Sequence, residues 1–268
     1  MITSEIGLIE IPHLVAPVKI DKLASEIVRV QDTNVFPVDI PVHFIRGIKN
    51  AYDENNVKVS QVGLLDFMRG EEAQVAGLLT HVKPSLPTTM VMLSSHTKFI
   101  PITEDGTILG SLTTMSGQTC AAIKKETFVG KSIAPPDDVG KTVFFDPEII
   151  DNATYWCEKT GFIRALMMPR FLDTLLHTEW YERDLFVEGL IAAEDMKSLN
   201  IFKKLGYPTK NNYILIGAPR RCKIYSHILK KRFGDSIDVQ SIDMVNEIDN
   251  LSIQGVINLA KKAGLIVK

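Results

Sequence analysis

The sequence predicts an α/β fold, and three observations carry that expectation. From Thr89 onward, three short apolar runs divided by tight polar turns give way to alternating strand-like and helix-like segments. The 268 residues are 45% hydrophobic and 23% charged, which supports a sizeable core and excludes disordered, collagen-like and disulfide-scaffold chains. The three cysteines, Cys120, Cys157 and Cys222, are widely spaced with no Cys-x-x-Cys, so neither a disulfide framework nor structural zinc is expected.

Taken in order, residues 1–20, with Pro12 and Pro17, read as loop and edge. Lys22–Val30 reads as a short helix. Val42–Ile45, flanked by Pro41 and Gly47, reads as a buried strand. A helix is expected to start near Gly70 and to run through Glu71, Glu72, Ala73, Val75, Ala76, Leu78 and Leu79. Thr89–Leu93 is a strand, Ser94-Ser95-His96-Thr97 a polar interruption, and Phe99–Thr103 a second strand. Glu104-Asp105-Gly106-Thr107 is a hairpin turn, because Asp-Gly suits positive backbone angles, and Ile108–Thr114 is the third strand. Ser116 reads as the N-cap of a helix through Ala121 and Lys125.

A mostly helical stretch follows over 146–204. Its clearest helix is Glu182–Lys197, where Phe186, Gly189, Leu190, Ala193 and Met196 recur on one side. Tyr213–Ile216 (strand), Gly217-Ala218-Pro219 (turn), Ile224–Lys231 (helix), Ile237–Ile242 (strand) and Ile253–Ala263 (helix) complete the chain. The order β-β-β-α, helical insertion, β-α-β-α is that of a ribonuclease-H-like domain. Actin-like ATPases use two such domains around a nucleotide. Two parts are therefore expected: a remnant of an N-terminal ribonuclease-H-like domain on the substrate side (1–87), and a complete C-terminal one on the nucleotide side (88–268), with its helical insertion at about 146–204.

Thirty basic against thirty-two acidic residues give a net charge of −2, which draws the chain to neither nucleic acid nor an anionic membrane. The cluster Arg220, Arg221, Lys223, Lys230, Lys231 and Arg232 reads as a solvated helix face. The start has no basic region followed by a long apolar run, so no signal peptide or transmembrane helix is expected and the cytoplasm fits. No His-x-x-x-His pair is present, so no protein-built metal site is expected.

Several strings, in order along the chain, carry a resemblance. They are Met1-Ile2-Thr3-Ser4 followed by Pro12, Met68-Arg69-Gly70-Glu71-Glu72-Ala73-Gln74, and Met92-Leu93-Ser94-Ser95-His96-Thr97-Lys98-Phe99. Thr114-Met115-Ser116-Gly117-Gln118 and Leu215-Ile216-Gly217-Ala218-Pro219 complete the set. Together they resemble the 2-dehydro-3-deoxygalactonokinase family over nearly the whole chain. The resemblance implies a sugar kinase of the actin-like ATPase fold. Such an enzyme uses ATP and Mg²⁺ to phosphorylate a 2-dehydro-3-deoxy sugar acid of galactonate type on its terminal hydroxyl, in D-galactonate catabolism. Its partners would be the sugar acid and ATP, with homo-oligomerisation left open. Where the family has Pro-Gly-Thr-His this chain has Leu93-Ser94-Ser95-His96, and where it has Thr-Gly-Glu this chain has Ser116-Gly117-Gln118. The family's opening Asp-x-Gly-Thr/Ser phosphate motif does not precede Met1: either the start is misassigned, the chain is a fragment or the gene is truncated, and an incomplete first domain and a chain that alone is inactive or very weak are expected. The alternative is a truncated, non-catalytic protein derived from such a kinase, which binds sugar acid or nucleotide without phosphoryl transfer.

Phosphoryl transfer asks for N–H groups and cations around the phosphates and a carboxylate near the attacking hydroxyl. Ser94, Ser95, His96, Thr97 and Lys98, with Ser116 and Gly117 at a helix start, are the candidate phosphate-binding residues. Glu71 or Glu72 is the candidate general base. Arg69 suits the bidentate pairing a substrate carboxylate offers, and the resemblance adds Ser4 and Gln118 as substrate-binding residues. Gly217, Ala218 and Pro219, in a turn after a strand, are the candidate nucleotide-binding residues.

Overall fold

The computed structural model describes residues 11–32, 39–56, 58–136, 144–209 and 211–266. In chain order its elements are β1 (Leu14–Val15), α1 (Ile20–Ser25), β2 (Val28–Val30), β3 (Val42–Phe44), β4 (Ile48–Lys49), β5 (Phe67–Met68), α2 (Glu71–Gly77), β6 (Thr88–Leu93), β7 (Thr97–Ile102) and β8 (Leu112–Thr114). There follow α3 (Ser116–Glu126), α4 (Phe128–Ile133), α5 (Pro147–Thr160), α6 (Phe162–Ala165), α7 (Met168–Thr174), α8 (Trp180–Met196), α9 (Leu199–Leu205), β9 (Asn212–Gly217), α10 (Pro219–Phe233), β10 (Val239–Ile242) and α11 (Val245–Lys262). Among the described residues no helix is long and apolar enough to cross a membrane.

The main sheet has five strands in the order β10-β9-β6-β7-β8. The run β6-β7-β8 is the expected meander, and β9 and β10 pair in parallel. Every residue of β6 and β7 is buried, so neither strand alternates between a buried and an exposed face. The third strand is shorter than the sequence suggests. Ile108 makes only isolated bridges, to Val18 and Ile102, and regular pairing resumes at Leu112.

The chain divides into two compact units. The first takes the residues up to Met90, Phe99–Leu112 and those from Val245 on. It contains a three-stranded sheet, β1-β4-β5, and the ribbon β2-β3. Lys22–Val30 is not one helix: α1 stops at Ser25, and Val28–Val30 turns extended to pair antiparallel with Val42–Phe44. Val42 and Phe44 are half-buried and His43 is exposed, so the buried strand expected there is instead one half of a partly exposed two-stranded ribbon. Helices α2 and α11 pack closely along small residues. A Cβ on Gly255 would lie 1.7 Å from the Ala73 carbonyl oxygen, and one on Gly77 would lie 2.0 Å from that of Leu251.

The second unit takes Val91–Lys98 and Thr113–Met244. Asp146 caps α5 by accepting from the Glu148 N–H at 2.8 Å, with Pro147 in the first helical position. Helix α8 is buried on more than the one side its periodicity suggests. Leu185, Val187, Ile191 and Ala192 are buried as well as Phe186, Leu190 and Ala193, because α5 and α7 flank one side and α3, α4 and α10 others. Ala153, Cys157, Ala165, Phe186, Leu190 and Ala193 form one core cluster there, and Ile123, Val129, Ile133, Val187 and Ile191 a second.

Candidate active site

The expected site residues fall into two clusters, one in each unit. In the first unit, β5 delivers Arg69 to the start of α2. Glu71 is half-buried, and its Oε2 accepts from the Arg69 N–H at 3.1 Å. Glu72 is 2% exposed and both its oxygens accept from the Gly70 N–H, at 2.9 and 2.8 Å. Burial pushes the Glu72 carboxyl up to about 7, against the opposing pull of the Gly70 N–H. The exposed Arg69 guanidinium donates from Nη2 to the Ile11 carbonyl at 2.6 Å and lies 3.5 Å from His13 Nε2. No partner for its Nε or Nη1 lies among the described residues. Ser4 lies outside the described residues.

In the second unit the turn between β6 and β7 is built tightly. The Ser94 N–H and hydroxyl both donate to the His96 carbonyl, each at 3.2 Å, and Ser95 Oγ lies 3.4 Å from His96 Nδ1. Ser94, Ser95 and His96 are exposed; Thr97 and Lys98 are buried. Lys98 Nζ donates to Thr113 Oγ1 at 2.8 Å, so its ammonium bridges β7 and β8 at this end of the sheet. Against the turn stands the start of α3. The helix begins one residue earlier than expected: Met115 occupies the cap and Ser116 is the first helical residue. The Ser116 hydroxyl is therefore not spent on capping, and lies 2.6 Å from Thr97 Oγ1. The Gln118 N–H donates to the Ser95 carbonyl at 2.8 Å, while the Gln118 side chain is exposed. Gly117 makes this approach possible, because a Cβ there would meet the Ser94 and Ser95 carbonyl oxygens at 2.1 and 2.7 Å.

Helix α10 closes the other side. Arg221 donates from Nη1 to the Ser94 carbonyl at 2.7 Å and from Nη2 to Thr97 Oγ1 at 3.1 Å, and its guanidinium carbon lies 5.9 Å from the Tyr225 ring centroid. Tyr225 is fully buried. Its hydroxyl donates to Asp195 Oδ2, and Thr114 donates to Asp195 Oδ1 at 2.6 Å. Burial, and then the Asp195 carboxylate, hold the Tyr225 hydroxyl well above its ordinary pKa. The basic cluster is thus no uniform solvated face. Arg220 pairs with Asp184 at 2.9 Å and approaches Glu188 at 3.1 Å, while Lys124 reaches the same two carboxylates at 2.7 and 2.9 Å. Arg232 donates to the Met196 carbonyl at 2.8 Å.

Gly217, Ala218 and Pro219 lie where expected, at the carboxyl end of β9, with Ala218 and Pro219 exposed. Gly217 serves packing there: a Cβ would lie 2.6 Å from the Leu93 carbonyl oxygen, so only glycine lets β9 end beside β6. Two cavities flank the turn and the start of α3. One, of about 240 Å³, is lined by Gly117, Cys120, Lys124, Arg221 and Tyr225 among others. The other, of about 380 Å³, is lined by Thr114, Ser116, Thr119, Glu194, Asp195 and Ser198 among others.

Arg221, Tyr225, Asp195 and Thr114 escaped the sequence reading. The spacing of Arg221 and Tyr225, four apart on one helix face, was the available signal, but the run of basic residues around it masked it.

A model of the 2-keto-3-deoxy-galactonokinase family matches residues 1–252. No curated protein gives a significant match. Among solved structures, a candidate 2-dehydro-3-deoxygalactonokinase from Sinorhizobium meliloti is similar, with a TM-score of 0.69 at 18% identity, covering 93% of this chain and 73% of the other. That likeness shows the fold. The activator of the 2-hydroxyisocaproyl-CoA dehydratase from Clostridium difficile, with bound ADPNP, gives a TM-score of 0.42 at 10% identity, over 75% of this chain and 70% of its own.

Proposed function

Because the chain belongs to the 2-keto-3-deoxy-galactonokinase family, a family of sugar-acid kinases, we propose that it phosphorylates a 2-dehydro-3-deoxy sugar acid of galactonate type on its terminal hydroxyl, with ATP as donor. The family match over residues 1–252 is the observation that carries this reading. The turn Ser94–Thr97, held against the start of α3, supports it: a fixed array of hydroxyls and N–H groups suits an electrophile whose transfer depends on positioning and charge stabilisation.

In this reading Arg69 pairs with the sugar-acid carboxylate through Nε or Nη1. Glu71, half-buried and adjacent, takes the proton of the attacking hydroxyl. Glu72 anchors the Gly70 N–H and with it the start of α2. The phosphates lie on Ser94, Ser95, His96, Thr97, Ser116 and Gly117, with Lys98 adding charge from beneath. The nucleoside lies by Gly217, Ala218 and Pro219. Among the described residues no three His, Cys, Asp or Glu side chains converge, a pattern compatible with Mg²⁺ held chiefly by substrate phosphates and water. When bound, Mg²⁺ neutralises phosphate charge. The setting is cytoplasmic, with the sugar acid and ATP as partners.

The alternative is a non-catalytic relative that binds sugar acid or nucleotide without phosphoryl transfer. Glu72 is buried and committed to Gly70, so base chemistry falls on Glu71 alone. The discriminating experiment is ATP consumption by the purified chain with Mg²⁺, with and without 2-dehydro-3-deoxygalactonate and related sugar acids. Sugar-acid-dependent ADP release is the outcome the kinase reading requires, and it would overturn the expectation that the chain alone is inactive or very weak. ADP binding with no turnover on any sugar acid would leave the non-catalytic reading standing instead.

A further inference from the structure

We infer that Arg221 is a positioning residue: it directs the Ser116 hydroxyl proton away from the protein and dedicates it to an anionic phosphoryl oxygen. The inference rests on the kinase reading and follows from counting protons in one buried chain. Tyr225 has a single hydroxyl proton and gives it to Asp195, whose carboxylate offers only lone pairs. Asp195 is 3% exposed and its second oxygen is taken by Thr114, so Tyr225 has no proton left for Thr97.

Thr97, fully buried, has one proton and two lone pairs. Arg221 Nη2 occupies one lone pair. The proton can go to Ser116 Oγ at 2.6 Å or to Tyr225 at 3.4 Å, and only the first distance is that of a good hydroxyl hydrogen bond. The reverse arrangement, Ser116 donating to Thr97, would leave the buried Thr97 proton with only the long contact. It would also place a second donor on an oxygen already facing a guanidinium. Both effects disfavour it, and the charged donor on Thr97 strengthens the forward direction.

Ser116 therefore accepts from Thr97, and its own proton has no acceptor among the described residues. The residue is 6% exposed and lines the cavity of about 380 Å³ beside the start of α3. A leftover donor on a buried residue at the wall of that space calls for an acceptor, and a phosphoryl oxygen is the acceptor the proposed chemistry brings. Arg221 touches no ligand in this scheme; it acts through Thr97.

The test is calorimetric titration of the full chain with ADP and with pyrophosphate, for wild type, Ser116→Ala, Arg221→Met and the double variant. Each single change is expected to weaken both ligands about tenfold, the effect of one hydrogen bond to a charged group. The double variant is expected to bind within about twofold of Ser116→Ala, because both changes remove the same bond. Ser116→Thr, which keeps the donor, is expected to bind like wild type and serves if Ser116→Ala fails to fold. Wild-type affinity in Ser116→Ala, loss of binding in Ser116→Thr, or losses that multiply in the double variant would overturn the inference alone. A folded wild type that binds neither ligand would overturn it together with the kinase reading.

Discussion

A Cβ on Gly117 would sit 2.1 Å from the carbonyl oxygen of Ser94, so the start of α3 and the β6–β7 turn are closer than any other residue allows. Replacing a helical glycine by alanine ordinarily stabilises a protein by about 0.5–1 kcal/mol. Here the neighbour is backbone and cannot swing away. Gly117→Ala is therefore expected to destabilise by about 1–3 kcal/mol, the usual cost of overpacking, and to weaken ADP binding at least tenfold by displacing the turn. Denaturant unfolding and an ADP titration measure the two effects. A more stable Gly117→Ala would show that the turn is not pinned as described.

The same reasoning applies to α2 and α11. Gly255 and Gly77 each face a partner backbone carbonyl within about 2 Å of where a Cβ would be. Alanine at either position forces the helices apart along their length, so a loss of at least about 2 kcal/mol is expected for Gly255→Ala. Urea unfolding of the variant checks this, and an unchanged midpoint would contradict the packing.

The meander and the βα units were legible because their signals are local. Thr89–Leu93 and Tyr213–Ile216 are apolar runs bounded by turn residues, and each is a strand displaced by no more than one residue at either end. Val28–Val30 was not legible as a strand because its pairing partner, Val42–Phe44, is distant in the sequence; strand pairing overrides a weak helical pattern. The site was legible in part for the same reason. Arg69–Glu72 and Ser94–Lys98 are contiguous strings with chemistry in them. Asp195 and Tyr225 are single residues on two helices, and only the fold brings them together.

Glu72 couples stability to pH. Its carboxyl titrates near 7 in the folded chain, against 4.5 in the ordinary state, because burial disfavours the charge. Between those values the folded state holds more protons than the unfolded one, so stability falls as pH rises through the window. The full loss, reached above about pH 7, is about 3 kcal/mol. Glu72→Gln carries no charge and is expected to remove this slope, gaining relative to wild type at pH 8 and not at pH 4. Urea midpoints across that range decide it; parallel pH profiles for the two proteins would mean Glu72 is ionised without penalty.

Glu71 differs from its neighbour in being half-buried, with one oxygen engaged by the Arg69 N–H. The other oxygen has no partner among the described residues and can accept a proton from a hydroxyl, which Glu72, with both oxygens on Gly70, is not placed to do. Glu71→Gln keeps the shape and an oxygen for the Arg69 N–H but removes the base. The expected result is a loss of sugar-acid-dependent turnover of about 10²–10⁴-fold, with ADP affinity and melting temperature unchanged. Glu72→Gln, by contrast, is expected to retain turnover within about tenfold, since its contribution is to hold the helix start. The comparison is made by steady-state kinetics on both variants at one pH. Turnover lost in Glu72→Gln and kept in Glu71→Gln would reverse the assignment of the base.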